Sequence, residues 1–415
     1  MISTPTATSD TCPLPFYAPS ATRMAFVVHN FGPAGLEHCV ARLVNHLDPT
    51  RYRPMIVCMT TNGAAARWLN SAADVPIVEL QKRAGNDPRV VRDLARVFQE
   101  HGIELVHSNN WGTLVETVLA RIWAGVPVHV HAERGTVLGA VQLGTWQRRL
   151  RGPIMRWALA RTDAVVAVSE AVRQRLLERS GFPRERIDVI PNGVEAPEVD
   201  DPQGTRARIR AKLGISADAM VVGSVGTLKP VKDYGTAIDA VATVAAKGLD
   251  VHLMLVGGGP DEAKLLEQAE LGGLAGRIHL AGHQFDVGSW MTAMDVYINS
   301  SVSEGMSQAI LEAMSMGLPL VVTDVGDSSQ AVGKVDACGL VVPPSSPSEM
   351  ANAIEWLLTD QELRRRMSRN ARRRHVTCFG PELMVRSYEE LYFRAGSRSR
   401  RRALPIRAMK APIEG

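Results

Sequence analysis

Short apolar runs alternate with longer amphipathic stretches through most of this chain. Continuous apolar runs bounded by turn signals are typical of strands buried on both faces, and the amphipathic stretches between them are typical of helices. In the first half the pattern predicts a helix over Leu36–Leu47 and strands over residues 24–28, 55–59, 105–107, 126–130 and 164–168. In the second half it predicts strands over residues 221–225, 252–256, 278–280, 296–298 and 320–322.

The break between the two series is polar and contains Asp and Pro. The first series ends with Ile190–Val194, and the stretch Glu195–Gly204 separates it from the second. Strands that alternate with helices predict an α/β fold, here with two doubly wound Rossmann-like domains over residues 23–195 and 205–375. Ligands of such sheets bind at the carboxyl ends of the strands, so we expect the ligand in a cleft between the two domains.

Composition narrows the class of protein. Of the 415 residues, 45% are hydrophobic and 22% are charged, which is typical of a soluble globular protein, and the length suggests more than one domain. Aromatic residues make up only 5%, which argues against stacking platforms for single-stranded nucleic acid. The five cysteines are scattered and form no CxxC pair, so we expect free thiols in a reducing cytosol and neither a metal site nor disulfides.

The two ends of the chain differ in composition from its body. Residues 1–22 are rich in Ser, Thr and Pro and lack a basic segment followed by an apolar core, so we expect a disordered leader and not a signal peptide. Residues 395–415 form a basic tail that we also expect to be disordered. No apolar run reaches the roughly 18 residues that span a bilayer, and the predicted location is the cytoplasm.

Two carboxylates flank a loop and the start of a helix in the second half. Glu304 and Glu312 lie on either side of seven residues, and Glu312 lies within the helical pattern. The N-terminus of a helix carries unpaired N–H groups and a partial positive charge, so it suits a phosphate. A carboxylate on each side could hold sugar and ribose hydroxyls around that anion. The arrangement predicts a site for a sugar nucleotide.

Glycine-rich turns follow several predicted strands. Gly32–Glu37 opens the first helix, where glycine allows close approach of a ligand, although an ordinary turn is an equally good interpretation. Gly226–Asp233 contains Lys229 and Lys232, either of which could neutralise a diphosphate leaving group or be a solvated surface lysine. Val256–Pro260 lacks the third glycine of a dinucleotide fingerprint and predicts a tight turn.

A polar cluster follows one strand of the first half. His129, His131, Glu133 and Arg134 alternate with or adjoin apolar residues near the carboxyl end of this strand. Side chains in this place could contact the acceptor or the transferring sugar. They could equally be partly buried polar residues that satisfy one another.

The stretch Trp146–Arg161 is basic, helix-like and interleaved with tryptophan. Such a face can lie on an anionic membrane surface, and the basic tail would add to that attraction. A solvated helix with its tryptophans in the core fits the pattern equally well. No module that reads nucleic acid accompanies the positive charge, so the prediction includes no nucleic acid partner.

In their order along the chain, these segments resemble the family 4 retaining glycosyltransferases of the GT-B fold. The resemblance covers about residues 24–394. It rests on the glycine loop at Gly32 and Gly35, and on Ile190–Val194, Gly226–Lys232, Gly282–His283 and Ser303–Pro319. The segments Pro230–Asp233 and His131–Gly135 look most like members that build exopolysaccharides in bacteria.

The resemblance implies transfer of a sugar, with retained anomeric configuration, from a UDP- or GDP-sugar to a saccharide or lipid-linked acceptor. No cofactor and no metal ion is expected beyond that donor substrate. The second domain would hold the donor, and the first would face the other domain across the cleft. A C-terminal helix over residues 376–394 would return to the first domain and leave a hinge near residue 195.

The resemblance also assigns roles to individual residues. Glu304 would contact the donor sugar, Glu312 would bind the ribose hydroxyls, and Lys232 would bind the diphosphate. The other residues expected to bind the donor are Gly35, Gly226, Thr227, Gly305, Met306, Ser307 and Leu311, with His283 and Gln284 in the base loop. The acceptor would enter near Gly35, with Asn110, His131, Glu133 and Arg134 on its side, and His131 is a catalytic candidate together with Glu304 and Lys232.

Three residues depart from the family's pattern. Thr227 stands where an arginine is usual, Arg134 where a histidine is common, and Gln330 where a glutamate usually ends a glycine-rich stretch. These departures motivate a first alternative, a non-catalytic partner that binds sugar nucleotides within a biosynthetic complex. The intact carboxylates and Lys232 argue against it. A second alternative is a sugar-nucleotide epimerase of the same fold, since fold alone does not fix function.

Overall fold

The computed structural model describes residues 20–71, 74–85, 87–135 and 145–403, without the side chains of residues 145–148 and 400–403. Its strands are β1 (Thr22–Val28), β2 (Tyr52–Cys58), β3 (Ile77–Glu79), β4 (Leu105–Asn109), β5 (Val128–Glu133), β6 (Ala164–Ala167), β7 (Ile187–Val189), β8 (Met220–Val225), β9 (Val251–Val256), β10 (Ile278–Leu280), β11 (Val296–Asn299), β12 (Leu320–Thr323) and β13 (Gly339–Val342). Its helices are α1 (Gly35–His46), α2 (Arg89–Glu100), α3 (Trp111–Ala124), α4 (Thr145–Leu159), α5 (Glu170–Ser180), α6 (Pro202–Lys212), α7 (Tyr234–Ala246), α8 (Glu262–Leu271), α9 (Val287–Thr292), α10 (Gln308–Ser315), α11 (Ser328–Val332), α12 (Pro347–Thr359), α13 (Gln361–Cys378) and α14 (Pro381–Ala403).

The strands form two sheets, and each sheet reverses its strand order once. The first has the order β3-β2-β1-β4-β5-β6-β7 and the second the order β10-β9-β8-β11-β12-β13. All neighbouring strands of the second sheet pair in parallel. The order changes direction between β1 and β4 and between β8 and β11, and at such a reversal a parallel sheet has a crevice for ligands at its carboxyl edge. The architecture confirms the predicted α/β fold with two doubly wound sheets.

The second sheet is buried on both faces. Val221 and Met254 belong to one apolar cluster, whereas their neighbours Val222 and Leu253 belong to another. This alternation is the period of two that a strand imposes on its side chains. Helices α7 and α12 cover one face, and α9 and α10 cover the other. Because both faces are covered, the central strands are continuous apolar runs, which is why the sequence pattern marks them.

The sequence pattern did not predict three of the strands, and all three lie at a sheet edge. They are β3 and β7 in the first sheet and β13 in the second. Each has only three or four residues, and each keeps some residues partly exposed. A strand of this kind needs no continuous apolar run, so its sequence resembles a loop. Residues 190–194, predicted to end the first series, follow β7 without regular secondary structure, and the Ile190 N–H donates to the Ala167 carbonyl of β6 at 3.0 Å.

The chain forms two compact units that do not coincide with the two sheets. The first contains the described residues up to His131, the turn Arg161–Asp163 and the residues from Tyr392 onward. The second contains Ala132–Ala160 and Ala164–Leu391, and therefore β6, β7, α4 and α5 together with the whole second sheet. The predicted domain bounds, which follow the sheets, stay a prediction.

Helix α14 corrects the prediction for the C-terminus. Residues 395–403, expected to begin a disordered basic tail, are the last part of this helix. They are ordered by one packed side: Tyr392 and Ala395 are buried, and the Ser399 hydroxyl donates to the Pro127 carbonyl at 2.8 Å. Arginines on the exposed side hid this pattern from composition. Residues 404–415 of the predicted tail and residues 1–19 of the predicted leader lie outside the described residues, and β1 already begins at Thr22.

Candidate functional site

Of the predicted donor residues, Gly226, Thr227 and Lys232 lie on one loop at the crevice of the second sheet, and Glu304–Ser307 lie on another, whereas Gly35 begins α1 in the first unit. One loop follows β8, and the other follows β11 and leads into α10. Two hydrogen bonds fasten the second loop to the first. The Ser300 hydroxyl donates to the Lys232 carbonyl at 2.7 Å, and the Val302 N–H donates to the Val231 carbonyl at 3.0 Å. The parallel pairing of β8 with β11 thus unites segments that are far apart in sequence.

Lys232 and Glu304 form an ion pair where these loops meet. Lys232 Nζ donates to Glu304 Oε1 at 2.5 Å, and the Ser301 hydroxyl donates to the same oxygen at 2.8 Å. The two charged side chains keep 22% and 13% of their surface exposed, so each can still reach a ligand. Lys232 ends a short 3₁₀ turn that begins at Pro230, and Asp233 then takes a φ of 47° as the chain enters α7. A cation that suits a diphosphate and a carboxylate that suits sugar hydroxyls are therefore held side by side.

Helix α10 turns its N-terminus toward the same loop. Ser307 occupies the N-cap position without a side-chain capping bond, and the first turn contains no acidic residue. The N–H groups at this end therefore suit an anion. Gly305 and Met306 lead into the helix, Leu311 is buried in the core, and Glu312 is a buried carboxylate on the same helix. The helix thus carries the second of the two predicted carboxylates.

Contacts between backbones fix the loop after β8. The Gly226 N–H donates to the Val256 carbonyl at 2.9 Å, and a Cβ on Gly257 would lie 2.0 Å from the Gly226 carbonyl oxygen. Gly257 has a φ of 146°, and it forms an antiparallel bridge with Gly282. The glycine-rich turn after β9 therefore supports the loop after β8.

The predicted base loop follows this bridge. The His283 ring packs edge-on against Phe285, with 5.0 Å between the ring centroids. Gln284 Nε2 donates to the Ala281 carbonyl at 2.6 Å. Both residues therefore lie on a short ordered loop after β10, and their contact with a base stays a prediction.

Three further residues of interest lie on the loop after β8 and in α11. Thr227, which replaces the usual arginine, is exposed on the loop after β8, and Lys229 is exposed on the same loop. Gln330 lies in α11, and its carbonyl accepts from Arg374 Nη2 at 2.6 Å. Lys232 is the lysine that pairs with Glu304, whereas Lys229 is exposed, so the structure favours Lys232 of the two lysine candidates.

Of the residues predicted to lie on the acceptor side, the first unit holds three. Gly35 begins α1, and Asn110 precedes α3 with a φ of 59°, which is rare for any residue but glycine. His131 is fully buried: the Ser108 hydroxyl lies 2.8 Å from His131 Nδ1 and 2.8 Å from His129 Nε2. Burial lowers the pKa of His129 well below its ordinary value. The shared hydroxyl thus serves one nitrogen of each ring, and a catalytic role for His131 stays a prediction.

Glu133 and Arg134, also predicted on the acceptor side, belong to the second unit. Both are buried, at the end of β5 and directly after it. The Arg134 guanidinium donates to the Asn192 side chain at 3.2 Å and to the Tyr388 hydroxyl at 3.1 Å, and it lies over the Tyr388 ring. Arg134 therefore joins the segment after β7 to α14. Contact of either residue with an acceptor stays a prediction.

Sequence reasoning missed two residues that hold the Glu304 loop. Arg175 Nη2 donates to the Glu304 carbonyl at 2.5 Å, and the Asp327 N–H donates to the Gly305 carbonyl at 3.2 Å. Asp327 lies in the glycine-rich stretch that ends at Gln330, so the resemblance already marked this segment. Arg175 lies on the amphipathic helix α5, where no local pattern marks it.

Two cavities illustrate where ligands could enter. One of about 730 Å³ lies in the second unit and is lined by Met306, Asp327 and Gln330 among others, so it borders the donor loop. The other, of about 320 Å³, lies in the first unit at the amino ends of the strands, where Tyr52 and Tyr392 line it. None of the predicted site residues lines this cavity of the first unit. Ligands of parallel sheets bind at the opposite edge, at the carboxyl ends of the strands, so the cavity of the second unit is the more relevant to ligand binding.

A buried carboxyl group lies in the first turn of α1. Glu37 is 8% exposed, and its Oε2 has no hydrogen-bond partner among the described residues. Burial raises the pKa of Glu37 to about 7. Burial, with Glu79 and Glu37 as nearby charges, also raises the pKa of the Cys58 thiol to about 12. The first turn of α1 therefore carries a carboxyl group whose pKa burial raises to about 7.

Family models match both halves of the chain. The model for glycosyl transferases group 1 matches residues 205–374, and the model for glycosyltransferase family 4 matches residues 33–196. A 2-deoxystreptamine glucosyltransferase of Streptomyces kanamyceticus is 30% identical over 60% of this chain and 66% of its own length. The lipopolysaccharide core biosynthesis glycosyltransferase LpsE of Rhizobium meliloti is 32% identical over 55% of this chain and 64% of its own length. These alignments thus span about two thirds of the relatives.

A solved structure of the same fold matches this chain over nearly the whole length of both proteins. Anabaena HepE, in complex with UDP and glucose, superposes with a TM-score of 0.77 and 22% identity. The match covers 89% of this chain and 99% of HepE. At this identity the likeness shows the fold.

We expect Gly257→Ala to destabilise the protein more than Gly248→Ala. Both glycines have a positive φ, so alanine costs about 1–2 kcal/mol at either position. Only at Gly257 would the added Cβ also meet backbone, whereas nothing lies within 4 Å at Gly248. The difference should be about 1–3 kcal/mol in the free energy of unfolding, measured by urea denaturation. Equal losses would contradict the close approach at Gly226.

The pH dependence of stability should change in Glu37→Gln. The folded state binds the Glu37 proton more tightly than the unfolded state, because the pKa rises from 4.5 to about 7. Wild-type stability relative to Glu37→Gln is therefore greatest below about pH 4.5, falls by about 2–4 kcal/mol up to about pH 7, and is constant above. Urea denaturation across this range measures it. The exposed Glu100→Gln is the control, and a relative stability of Glu37→Gln that does not vary with pH would refute the assignment.

Proposed function

Because the chain belongs to the family 4 glycosyltransferases, we propose that it moves a hexosyl group from a UDP- or GDP-sugar to a saccharide or lipid-linked acceptor, with retained anomeric configuration. The observation that carries the proposal is the Lys232–Glu304 ion pair at the crevice between β8 and β11. HepE is described with UDP and glucose, which supports a nucleotide-sugar donor here. LpsE is named for lipopolysaccharide core biosynthesis, which supports a role in exopolysaccharide or cell-envelope glycan assembly.

The geometry of the donor loops supports a division of labour. Negative charge develops on the diphosphate as the glycosyl–phosphate bond breaks, and Lys232 would stabilise that charge together with the N-terminus of α10. Glu304 would hold hydroxyls of the donor sugar, and Glu312 would hold those of the ribose. Because Lys232 and Glu304 share a hydrogen bond, a diphosphate bound to the lysine would place its sugar beside the carboxylate.

Retention of configuration fits attack on the face that the diphosphate leaves. The bond between the anomeric carbon and the phosphate oxygen breaks, and the bond to the acceptor oxygen forms on the same face. The proton of the acceptor hydroxyl passes to the departing phosphate oxygen, so no protein nucleophile is needed. The residues of this chain would bind and orient both substrates and would stabilise the leaving group.

Two other functions predict different products. A non-catalytic partner would bind the sugar nucleotide and release no nucleoside diphosphate with any acceptor. An epimerase would act on the donor alone and need no acceptor. The exposed Thr227 on the donor loop favours the first of these, because one cation of the usual set is absent there. Product analysis with and without acceptor separates all three functions.

We also propose that helix α4 contacts an anionic membrane surface, at the inner face of the cytoplasmic membrane. Leu150, Ile154 and Trp157 are 51%, 42% and 36% exposed, and their spacing places them on one side of the helix. Arg149 and Arg156 are exposed beside them. An exposed apolar stripe flanked by arginines suits an interface of acyl chains and anionic head groups. Among the described helices, none combines the length and the apolar character that crossing a bilayer requires.

A donor panel tests the proposed function. We expect UDP or GDP and their sugar conjugates to raise the melting midpoint of the wild type, since a ligand at 100 times its dissociation constant adds about 2.7 kcal/mol. The shift should vanish in Glu312→Ala. Glu304→Ala and Lys232→Ala should each lower kcat/KM at least about 100-fold while the fold survives. Lys229→Ala is the matched control on the same loop and should change kcat/KM less than about threefold. Near-normal rates in Glu304→Ala or Lys232→Ala would overturn the assignment.

Vesicle sedimentation tests the membrane contact. We expect the wild type to bind vesicles that contain phosphatidylglycerol more strongly than vesicles of phosphatidylcholine alone. The triple variant Leu150→Ser, Ile154→Ser, Trp157→Ser should lose at least about 80% of the bound fraction, because the apolar stripe is gone. The control replaces three exposed apolar residues elsewhere, Leu271, Val335 and Val376, with Ser. Equal loss in both triple variants, or binding that does not depend on the anionic lipid, would refute the proposal.

A further inference from the structure

The backbone around Glu304 is held by groups that come from two distant segments. Arg175 Nη2 donates to the Glu304 carbonyl at 2.5 Å, 129 residues away in sequence. The next carbonyl, that of Gly305, accepts from the Asp327 N–H at 3.2 Å and from the Ser169 hydroxyl at 3.4 Å. Two successive carbonyls of the loop after β11 are thus fixed by hydrogen bonds at the point where the Glu304 side chain leaves the backbone.

Asp327 links this loop to the N-terminus of helix α5. Its buried carboxylate accepts from the Glu170 N–H and from the Ala171 N–H, both at 2.9 Å. Ser169 caps the same helix through the Val172 N–H at 3.2 Å. The first N–H groups of α5 therefore have partners, and an acidic group lies at the positive end of the helix. Asp327 acts as a helix cap that is supplied by another segment of the chain.

The space around the loop allows little movement. Gly326 has a φ of 58°, and a Cβ there would lie 2.7 Å from the carbonyl oxygens of both Glu304 and Gly305. On the other side, a Cβ on Gly305 would lie 3.0 Å from the Arg134 carbonyl oxygen. The loop after β11 is thus enclosed between two backbone segments. A shift of Asp327 or Arg175 would therefore be passed on to Glu304.

We propose that Asp327 and Arg175 are positioning residues that set the Glu304 carboxylate against the donor sugar. The inference rests on the proposed function, because it needs a donor whose sugar Glu304 contacts. Neither residue touches the substrate in this account. Asp327 fixes the loop to α5, Arg175 fixes the Glu304 carbonyl, and the side chain is directed from that fixed backbone toward Lys232. Small errors in such positioning lower reaction rates strongly, because reacting groups must meet at short range.

A double-mutant cycle tests the coupling of Asp327 to Glu304. Asp327→Asn should lower kcat/KM about tenfold in the wild-type background but less than about twofold in the Glu304→Ala background. The same cycle is measured on the ratio of affinities for UDP-glucose and UDP, or for GDP-mannose and GDP, according to the base that the protein binds. Asp327→Asn should reduce this ratio as Glu304→Ala does, and the double variant should reduce it no further. Equal fold-losses in both backgrounds would overturn the inference.

Matched controls separate positioning from stability. Asp360 caps helix α13 through the Leu363 N–H at 2.8 Å, far along the chain from the donor loop, so Asp360→Asn should lower the melting midpoint and leave the affinity ratio unchanged. Arg175→Met should behave as Asp327→Asn does, and Arg175→Lys should restore at least about a third of the lost kcat/KM because a cation can still reach the Glu304 carbonyl. Loss without such rescue, or a changed ratio in Asp360→Asn, would count against the inference.

The failure of the proposed function gives a different result. A wild type that binds the sugar nucleotide without transfer refutes the transferase, yet the cycle on affinities still tests the coupling. A wild type that binds neither UDP- nor GDP-sugars refutes both the function and the inference.

Discussion

Parallel pairing of β8 with β11 is the constraint on which the donor site depends. Parallel strands place their carboxyl ends at the same edge, and the reversal of strand order at this pair sends the two following helices, α7 and α10, to opposite faces of the sheet. Lys232 and Glu304 arrive on the two loops that lead into these helices and meet at 2.5 Å, although 72 residues separate them. Close backbone contacts between glycines support one loop, and hydrogen bonds from α5 and Asp327 support the other. The chemistry at the crevice is therefore a consequence of sheet topology, refined by local packing.

Two ion pairs of the second unit show how surroundings decide what a charge does. Arg210 is buried and donates to the Asp295 carboxylate and to the carbonyls of Ala219 and Ala293, so its donors are used within the fold. Removing one partner of such a buried pair is costly, which marks it as structural. The Lys232–Glu304 pair is partly exposed, and pairs of that kind add about 0–1 kcal/mol to stability. Its short distance is better explained by the positions of the two loops, which leave both side chains within reach of a ligand.

The sequence allowed the central strands and the donor motif to be predicted, but not the supports of the site. Central strands are apolar on both faces and so have a clear pattern, whereas the short strands β3, β7 and β13 at or near the edges do not. Glu304 and Lys232 were predicted because each follows a strand in a recognisable motif. Arg175 and Asp327 act through contacts between segments more than 100 residues apart, and no local pattern encodes those contacts. The histidines of β5 were ambiguous, because a polar residue near the end of a strand looks the same whether it faces substrate or a buried hydroxyl.

Helix α14 takes part in both compact units, and this affects the order in which the chain can fold. Its Tyr388 binds Arg134 in the second unit, whereas its Tyr392 lies beside Tyr52 in the first and accepts or donates a hydrogen bond with His107 at 2.7 Å. The core of the first unit is thus completed by residues that the ribosome adds only after the whole second sheet. Domains usually fold from the N-terminus while synthesis proceeds. Here the first unit can complete its core only after the second sheet and α14 have been made.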